Sequence, residues 1–411
     1  MNTHSVHITY TDITPVSGCD AGQQKSTVYD VSLIILNKDM PPARVLQSLQ
    51  RLHMIADSVT TTGNTVSPHT TVEIMLVDNG SRELPVNTIL AQFPQVRIIM
   101  PSEPVNWAYA LNLAVKEARG AIAVTLSSNI IIDSLDLNGL LQLFSYDNVF
   151  SVAPRVLAVG GNVDLTITAL ARQNKVLLSR PCTLKNHNGI CLPQFHDDAA
   201  AKTVSTLFAP AGMAVYHREK FIALGGLQSI YASSVSMPFG SRDTLHDMLY
   251  WADIDISYRA WKAGWGTLYY PHAQLYMIGD MLLPSLWPIP PAITDRYTNI
   301  NNMKKNNTHS LLDSYRQLQA KIHWRSSCYI FHWRNISSRS MLTQFERALQ
   351  RLGSEGFRTF DWWESLSVQL ARRRNNRFHD DRAPIVLQQY DDEEVFSIVS
   401  RLQPQPSPAQ C

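Results

Sequence analysis

The side chains able to do chemistry in this chain gather in a few short stretches. Asp78 ends the apolar run VEIMLV and opens the triplet Asp78-Asn79-Gly80. Taken by itself, the triplet is a tight turn after a strand. A second run, AIAVTL, exits instead into Ser127, Ser128 and Asn129, which offer hydroxyls and an amide but no carboxylate. In WADIDISYRAWK, Asp253 has the side chain of a helix N-cap, and Asp255 precedes Arg259 by four residues, the spacing of an ion pair on one helix face. Cys182, His187, Cys191 and His196 have the donor types of a zinc site, but without a tight C-x-x-C pair an irregular loop is the preferred reading.

These groups belong to a chain of 411 residues, long enough for one large α/β domain with an appended segment. An apolar fraction of 45% with a net charge of +2 describes a globular protein rather than a disordered chain or a polycation. The start, MNTHSVHITYTD, lacks a basic region followed by an apolar core, so no secretory signal is expected, and no apolar stretch is long enough for a spanning helix. Five scattered cysteines are expected to be thiols. A cytoplasmic location follows as the expectation, with the inner face of the cell membrane as the place of any contact.

The elements that must position the site follow from periodicity. DVSLIIL at 30–36 is a short aliphatic run of the kind buried on both faces of a sheet. PPARVLQSLQRLHMIADSV places Val45, Leu46, Leu49, Leu52 and Ile55 near a 3.6 period, and VEIMLVDNGS follows as a strand, which makes a βαβ unit. VRIIM, the helical NWAYALNLAVKEARG with Gly120 as its stop, and AIAVTL continue the pattern. After residue 150 come FSVAPRVLAV, VDLTITAL and KVLLSRP as strands, TLFAPAGMAVYHREKFI as strand then helix, a helix over 254–263 ended by Gly264, and the strand GTLYYP. The expected organisation is a flexible leader at 1–29, an α/β domain at 30–290, a basic and aromatic helical extension at 291–382, and a partly disordered tail at 383–411.

VSLIILNKD, EIMLVDNGS, NWAYALNLAVKEARG, APAGMAVYHREKFIALGGL and WADIDISYRAWKAGWGTLYYPHAQLY, in this order and spacing, resemble the family 2 glycosyltransferases of the GT-A fold. FHWRNI at 331–336 is similar to a C-terminal signature of bacterial members that build rhamnose-containing or other surface polysaccharides. The resemblance implies a mostly parallel mixed sheet flanked by helices, with a helical C-terminal extension. It implies an inverting transfer from a UDP- or dTDP-linked sugar to a glycan or lipid-linked acceptor. Asp78 matches the acid that receives the imide hydrogen of a uracil or thymine ring, with Asn37, Asp39, Asn79, Ser127 and Asn129 on the donor side and Gly212 and Asp255 on the acceptor side. Asp253 matches the second acid of the late helix and is the expected general base. Asp255 pairing with Arg259, or supporting the loop, stays open as its alternative.

The departures from the family pattern fall on one function. Its acidic metal motif lands on Ser127, Ser128 and Asn129, its first late acid on Ala252, and a histidine ligand on Met277. The implied cofactor, Mg²⁺ or Mn²⁺, therefore lacks its usual ligands. Three explanations stand. Basic side chains such as Arg155, Lys304 or Lys305 replace the cation; ligands come from elsewhere, with Asp133, Asp243, His246, Asp247 and Asp280 as candidates; or the protein is a non-catalytic relative that binds a nucleotide sugar, a glycan or a partner enzyme.

KIHWRSSCYIFHWRNI mixes Trp324, Tyr329, Phe331 and Trp333 with Lys321, Arg325 and Arg334. On a helix this mixture suits peripheral membrane contact or a helix packed on the domain with solvated arginines. A dense basic run, Arg372, Arg373, Arg374 and Arg377, follows. No nucleic-acid module accompanies these residues, so no nucleic-acid partner is expected.

Overall fold

The computed structural model describes residues 8–10, 29–61, 70–158, 168–173, 176–181, 184–185, 191–192, 203–231, 245–277, 322–323, 325–355, 362–377 and 388–401. The first half runs β1 (Ile8–Tyr10), β2 (Tyr29–Asn37), α1 (Pro42–Thr61), β3 (Val72–Asp78), α2 (Val86–Gln92), β4 (Arg97–Pro101), α3 (Trp107–Glu117), β5 (Gly120–Ser127), β6 (Ile130–Ser134) and α4 (Leu137–Leu143). After these come β7 (Val149–Ala158), the antiparallel pair β8 (Thr168–Gln173) and β9 (Val176–Pro181), and the short pair β10 (Leu184–Lys185) and β11 (Cys191–Leu192). Then follow β12 (Val204–Thr206), β13 (Met213–His217), α5 (Arg218–Ala223), a 3₁₀ turn at Ser229–Tyr231, α6 (Leu245–Lys262) and β14 (Gly266–Met277). Four further helices complete the described chain: α7 (325–335), α8 (Arg339–Glu355), α9 (Trp362–Arg377) and α10 (Asp392–Arg401).

One sheet organises the described residues, in the order β1-β4-β3-β2-β5-β13-β7-β14-β12, with β6 paired to β14. The strands alternate between two cores. Val31, Leu33 and Ile35 of β2 face α1, α2 and α4, whereas Ile34 and Leu36 face α3, α5 and α6. Helices cover both faces, which is why the central strands read as unbroken aliphatic runs rather than as polar-apolar alternation. The α/β class with helices on both faces and at the C-terminal end is as expected. The parallel character is narrower than expected: β4-β3-β2-β5 and β7-β14 are parallel, while β13 enters antiparallel between β5 and β7.

Several boundaries differ from the sequence reading, each for a physical reason. Within the segment read as a leader, Ile8–Tyr10 pairs antiparallel with β4 and supplies an edge strand. Helix α3 starts at its N-cap Asn106, whose side chain accepts the Tyr109 N–H at 2.9 Å, and it ends at Glu117. Gly120 is therefore not its stop. Gly120 opens β5 where a Cβ would lie 2.5 Å from the Ser32 backbone nitrogen, so only glycine fits this close approach.

The C-terminal helices share the core of the sheet domain. Cys328, Tyr329, Ile330 and Phe331 of α7, Phe345 and Leu349 of α8, Val368 and Ala371 of α9 and Val395 of α10 are all buried in the same apolar cluster as α3 and α6. Phe331 packs on Trp251 and Tyr258 of α6, and Tyr329 on Phe345. For Tyr329 and Phe331 the packed-helix alternative holds: their rings face protein, with Phe331 on α6 and Tyr329 on Phe345 of α8. Trp333 is half-buried and its ring meets Phe345 edge-on, while Lys321 and Trp324 lie outside the described residues. The basic run is corrected at one position. Arg374 turns inward, donating to Ser326 Oγ at 3.0 Å, Ser327 Oγ at 3.2 Å and the Ile230 carbonyl, and so ties α9 and α7 to the 3₁₀ turn.

The tail expected to be partly disordered contributes α10, anchored by a buried carboxylate. Asp392 accepts hydrogen bonds from Tyr258 Oη at 2.7 Å and from the Ser337 and Ser338 N–H groups at 2.8 Å each, and pairs with Lys262 Nζ at 2.8 Å. Burial alone would raise this carboxyl, but the bonds from Lys262, Tyr258 and Ser338 outweigh it and hold it below the usual carboxylate value. The stability it contributes is thus present above that value and lost as pH falls through the lowered one. Asp392→Ala leaves Lys262 buried without its carboxylate. Urea unfolding is expected to show a loss of about 3–5 kcal/mol, against an unchanged midpoint if α10 is not part of the folded unit.

Candidate active site at the carboxyl edge of the sheet

β3 and β4 lie to one side of β2 and β5 to the other, so the chain reverses its direction of growth between β2 and β5. Loops leaving the carboxyl ends of strands diverge at such a point and leave a crevice. The loops here begin at Asn37, Asp78 and Ser127, and β13 brings its amino end, preceded by Gly212, to the same edge.

A run of hydrogen bonds joins these loops into one rim. Asn37 Nδ2 donates to Asp78 Oδ1 at 2.7 Å, and the Asn79 N–H to the Asn37 carbonyl at 2.8 Å. The Ser128 N–H donates to the Leu36 carbonyl at 2.9 Å, and the Ser127 N–H to the Gly212 carbonyl at 2.6 Å. The Ala211 N–H donates to Asp253 Oδ2 at 3.1 Å. From Asp78 on β3 to Gly212 before β13 is three interstrand steps, about 14 Å. Asp78 and Asp253 thus stand toward opposite ends of one continuous edge.

The expected donor residues divide by what their atoms already do. Asp78 is fully buried and accepts Ser81 Oγ at 2.5 Å and the Ser81 N–H at 2.9 Å besides Asn37, so the carboxylate closes its own turn. Asn79 spans to the loop before α3, donating to the Val105 carbonyl at 2.8 Å and accepting the Val105 N–H at 2.9 Å. Its amide braces that loop. Asp39 holds a left-handed φ of 54°, the one such non-glycine among the described residues, with its N–H on Ser81 Oγ and its Oδ1 accepting from the Arg82 N–H. Ser81 therefore bonds Asn37, Asp39 and Asp78 together. Sequence reasoning passed over it, although Asp followed three residues later by Ser is the signature of a side-chain-closed turn.

At the other end, Asp253 is the ninth described residue of α6 and fully buried. The preceding residues are helical, so the helix N-cap reading is corrected. Burial pushes its carboxyl well above the ordinary value, against the opposing effect of the Ala211 N–H. Asp255, also expected near the acceptor, is committed to structure: Oδ1 accepts from Tyr231 Oη at 2.9 Å and Asn335 Nδ2 at 2.6 Å, and Oδ2 from Arg259 Nε at 2.9 Å and Nη2 at 2.6 Å. All four acceptor directions are taken by α6 itself, the 3₁₀ turn and α7, and the Arg259 pairing named as its alternative is formed. Gly212 has φ +75°, a conformation only glycine adopts without strain, and it holds the turn that carries the Ala211 N–H.

Two buried oxygens on this rim have no hydrogen-bond partner among the described residues: Asn37 Oδ1 at one end and Asp253 Oδ1 at the other. An orphaned buried polar atom costs about 1–3 kcal/mol, so each of the two calls for a reason, of which a functional role is one.

The residues present do not fit a tightly held Mg²⁺ or Mn²⁺. Hard divalent ions take several oxygen ligands, carboxylates foremost, whereas Ser127, Ser128 and Asn129 are neutral. Ala252 and Met277 are core residues, fully buried and 3% exposed. Asp133 on β6 accepts from Gln274 Nε2 at 3.0 Å. No cluster of three His, Cys, Asp or Glu side chains forms among the described residues. Asp243, Asp280, Lys304, Lys305, Cys182, His187 and His196 lie outside the described residues, and His246 and Asp247 fall in the first turn of α6.

The raised Asp253 carboxyl has a consequence for stability. The folded state holds the proton more tightly than the unfolded chain, so stability is full at acid pH and declines as pH rises from the ordinary carboxylate range through the raised value. Asp253→Asn keeps an oxygen for the Ala211 N–H and carries no charge. Its thermal midpoint is expected to equal the wild type's at acid pH and exceed it at neutral pH; a variant tracking the wild type at every pH would count against a buried, proton-holding Asp253.

Residues 45–225 match the family model described as Glycosyl transferase family 2. The chain is similar to two solved structures. One is GalNAc-T7 with UDP, GalNAc and Mn²⁺, at 14% identity and a TM-score of 0.43 over 66% of this chain and 48% of that one. The other is the mannosyltransferase PcManGT from Pyrobaculum calidifontis in complex with GDP-Man and Mn²⁺, at 12% identity and a TM-score of 0.42 over 86% and 76%. This chain spans about half the length (48%) of the GalNAc-T7 chain. No curated protein matches it. The matched span contains Asp78, the Ser127–Asn129 exit and Gly212, and leaves Asn37, Asp39 and Asp253 beyond its ends. Over residues 45–225 the chain is thus similar to the family 2 glycosyltransferases, and that span supplies the Asp78 turn, the exit of β5 and the Gly212 turn.

Proposed function

We propose that this rim binds a nucleotide-diphosphate sugar, UDP- or dTDP-linked, and transfers the sugar with inversion to a glycan or lipid-linked acceptor in surface polysaccharide synthesis. The single observation that carries the reading is the pair of buried, unpartnered oxygens, Asn37 Oδ1 and Asp253 Oδ1, at two ends of one hydrogen-bonded edge. A donor extended along that edge sets its base near Asn37, Asp39 and Asp78, its diphosphate by Ser127 and Asn129, and its sugar toward Gly212. The base imide and ribose hydroxyls are the kind of donors that Asn37 Oδ1 and the remaining lone pair of Asp78 Oδ2 lack.

In the chemical step an acceptor hydroxyl oxygen attacks the anomeric carbon from the side opposite the diphosphate. The carbon–oxygen bond to the diphosphate breaks with its electron pair remaining on the leaving phosphate oxygen, and the hydroxyl proton passes to Asp253 Oδ1. A carboxyl raised by burial is a stronger base once ionised than an ordinary aspartate, and the price is that it ionises only at higher pH.

The burial of Asp253 also favours a second reading, a non-catalytic relative that binds a nucleotide sugar, a glycan or a partner enzyme, because a base must meet its acceptor. Titration with UDP- and dTDP-sugars followed by turnover assays separates the two. For the transferase, kcat/KM is expected to rise with pH through an ionisation above the usual carboxylate range. Asp253→Asn should lower kcat by about 10²–10⁴ while the donor Kd is kept, and Asp78→Asn should weaken donor binding about tenfold or more. Donor binding without turnover at any pH would establish the binding protein instead.

A further inference from the structure

Of the motif FHWRNI, only part serves the core. Phe331, His332 and Ile336 are buried, and Asn335 Nδ2 donates to Asp255 on α6 at 2.6 Å. Trp333 stands two residues before Asn335, about 200° round α7, and so belongs to the side of α7 away from α6 and the rim. There it lines an open cleft between α7, α8 and α9, together with Glu346, Leu349, Arg372, Asn375 and Asn376. The cleft holds about 500 Å³ of space, its open mouth included.

The lining is an apolar plate with planar polar groups around it. Trp333 is half-buried: its ring meets Phe345 edge-on with centroids 5.8 Å apart, and its Nε1–H donates to Glu346 Oε1 at 3.3 Å. The indole is thus held in place while bordering the cleft, and the buried Leu349 extends the apolar surface. Asn375 Oδ1 accepts from Arg334 Nε at 3.4 Å, which orients that amide. Arg372 and Asn376 are exposed, and no hydrogen bond or ion pair among the described residues engages either side chain.

These residue types in one cleft match a sugar ring. A pyranose has an apolar C–H face, which packs on an aromatic plate, and a rim of hydroxyls that each donate and accept. Amides, a carboxylate and a guanidinium meet such hydroxyls in pairs. Charge narrows the choice. The lining carries one carboxylate, Glu346, and one guanidinium, Arg372, so its charges balance. An anionic lipid surface or a nucleic acid would meet Glu346 in the same place as Arg372, whereas a neutral polyol meets no such conflict.

We infer that this cleft is a second carbohydrate site, separate from the rim, which takes a neutral saccharide with one ring packed on Trp333 and its hydroxyls bonded to Glu346, Arg372, Asn375 and Asn376. That the saccharide is part of the acceptor glycan rests on the function proposed above; the saccharide site itself does not.

The test screens the full chain against a microarray of mono- to hexasaccharides of hexoses, 6-deoxyhexoses and N-acetylhexosamines, then measures the strongest binder by calorimetry. Wild type is expected to bind at least one neutral oligosaccharide. Trp333→Ala should weaken that binding about tenfold or more, with Trp333→Phe between the two. Arg372→Ala with Asn376→Ala, made as one variant at exposed positions, should weaken it about tenfold with an unchanged thermal midpoint; it keeps the idea exposed should the Trp333 variants fail to fold. Binding of no glycan, or binding unaltered in the folded double variant, overturns the inference. So does retention on phosphatidylglycerol vesicles that the double variant loses, in the absence of glycan binding. Cleft-dependent glycan binding by a chain that binds no UDP- or dTDP-sugar would uphold the site while removing the nucleotide-sugar reading, and donor turnover without cleft-dependent glycan binding would do the reverse.

Discussion

The hydrogen bond from the Ser127 N–H to the Gly212 carbonyl is the joint on which the site depends. On one side of it lie the parallel strands that end in Asn37, Asp78 and Ser127; on the other, β13 brings the Ala211–Gly212 turn to the same edge. Because β13 is antiparallel to β5, its start rather than its end meets the exit of β5. That reversal lets a residue of α6, more than a hundred positions away, reach the edge where the early loops emerge. The left-handed φ of Gly212 permits the turn, and the turn's Ala211 N–H holds Asp253.

Helix α6 is clamped as firmly from behind. Asp255 binds it to the 3₁₀ turn and α7, and Lys262 and Tyr258 bind it to α10 through Asp392. These buried charges are fully partnered, so they fix geometry at little net cost, whereas losing either member would leave a bare charge in the core. The C-terminal helices thereby help set the position of α6 and of Asp253 on it. Their aromatic and basic residues serve packing at Tyr329 and Phe331, one of the two readings the sequence allowed, and cross-linking at Arg374.

The rim combines committed and uncommitted groups. Asp78, Asn79, Ser81 and Asp255 are consumed by the scaffold, while Asn37 Oδ1 and Asp253 Oδ1 are buried with valences left over. Ser127, Ser128 and Asn129 add neutral donors to the same edge.

Much of this was legible in the residues. Aliphatic runs such as Val31–Leu36 and Ile74–Val77 announce strands covered on both faces, and the period from Val45 to Ile55 announces α1, because burial on a sheet and burial on a helix impose different spacings. The Asp78 turn, the Asp255–Arg259 pair and the loss of acids at 127–129 are likewise local facts. Tertiary structure decided the rest. That Gly120 serves a close strand approach rather than a helix stop, that Asp253 is sealed in the middle of α6, that Asp255 is saturated by Tyr231 and Asn335, and that Asp392 anchors a helix in the expected tail all depend on partners 24 to 134 residues distant. Spacing along a chain reports which face a side chain shares with its neighbours; whether its atoms are satisfied depends on what the rest of the fold brings against that face.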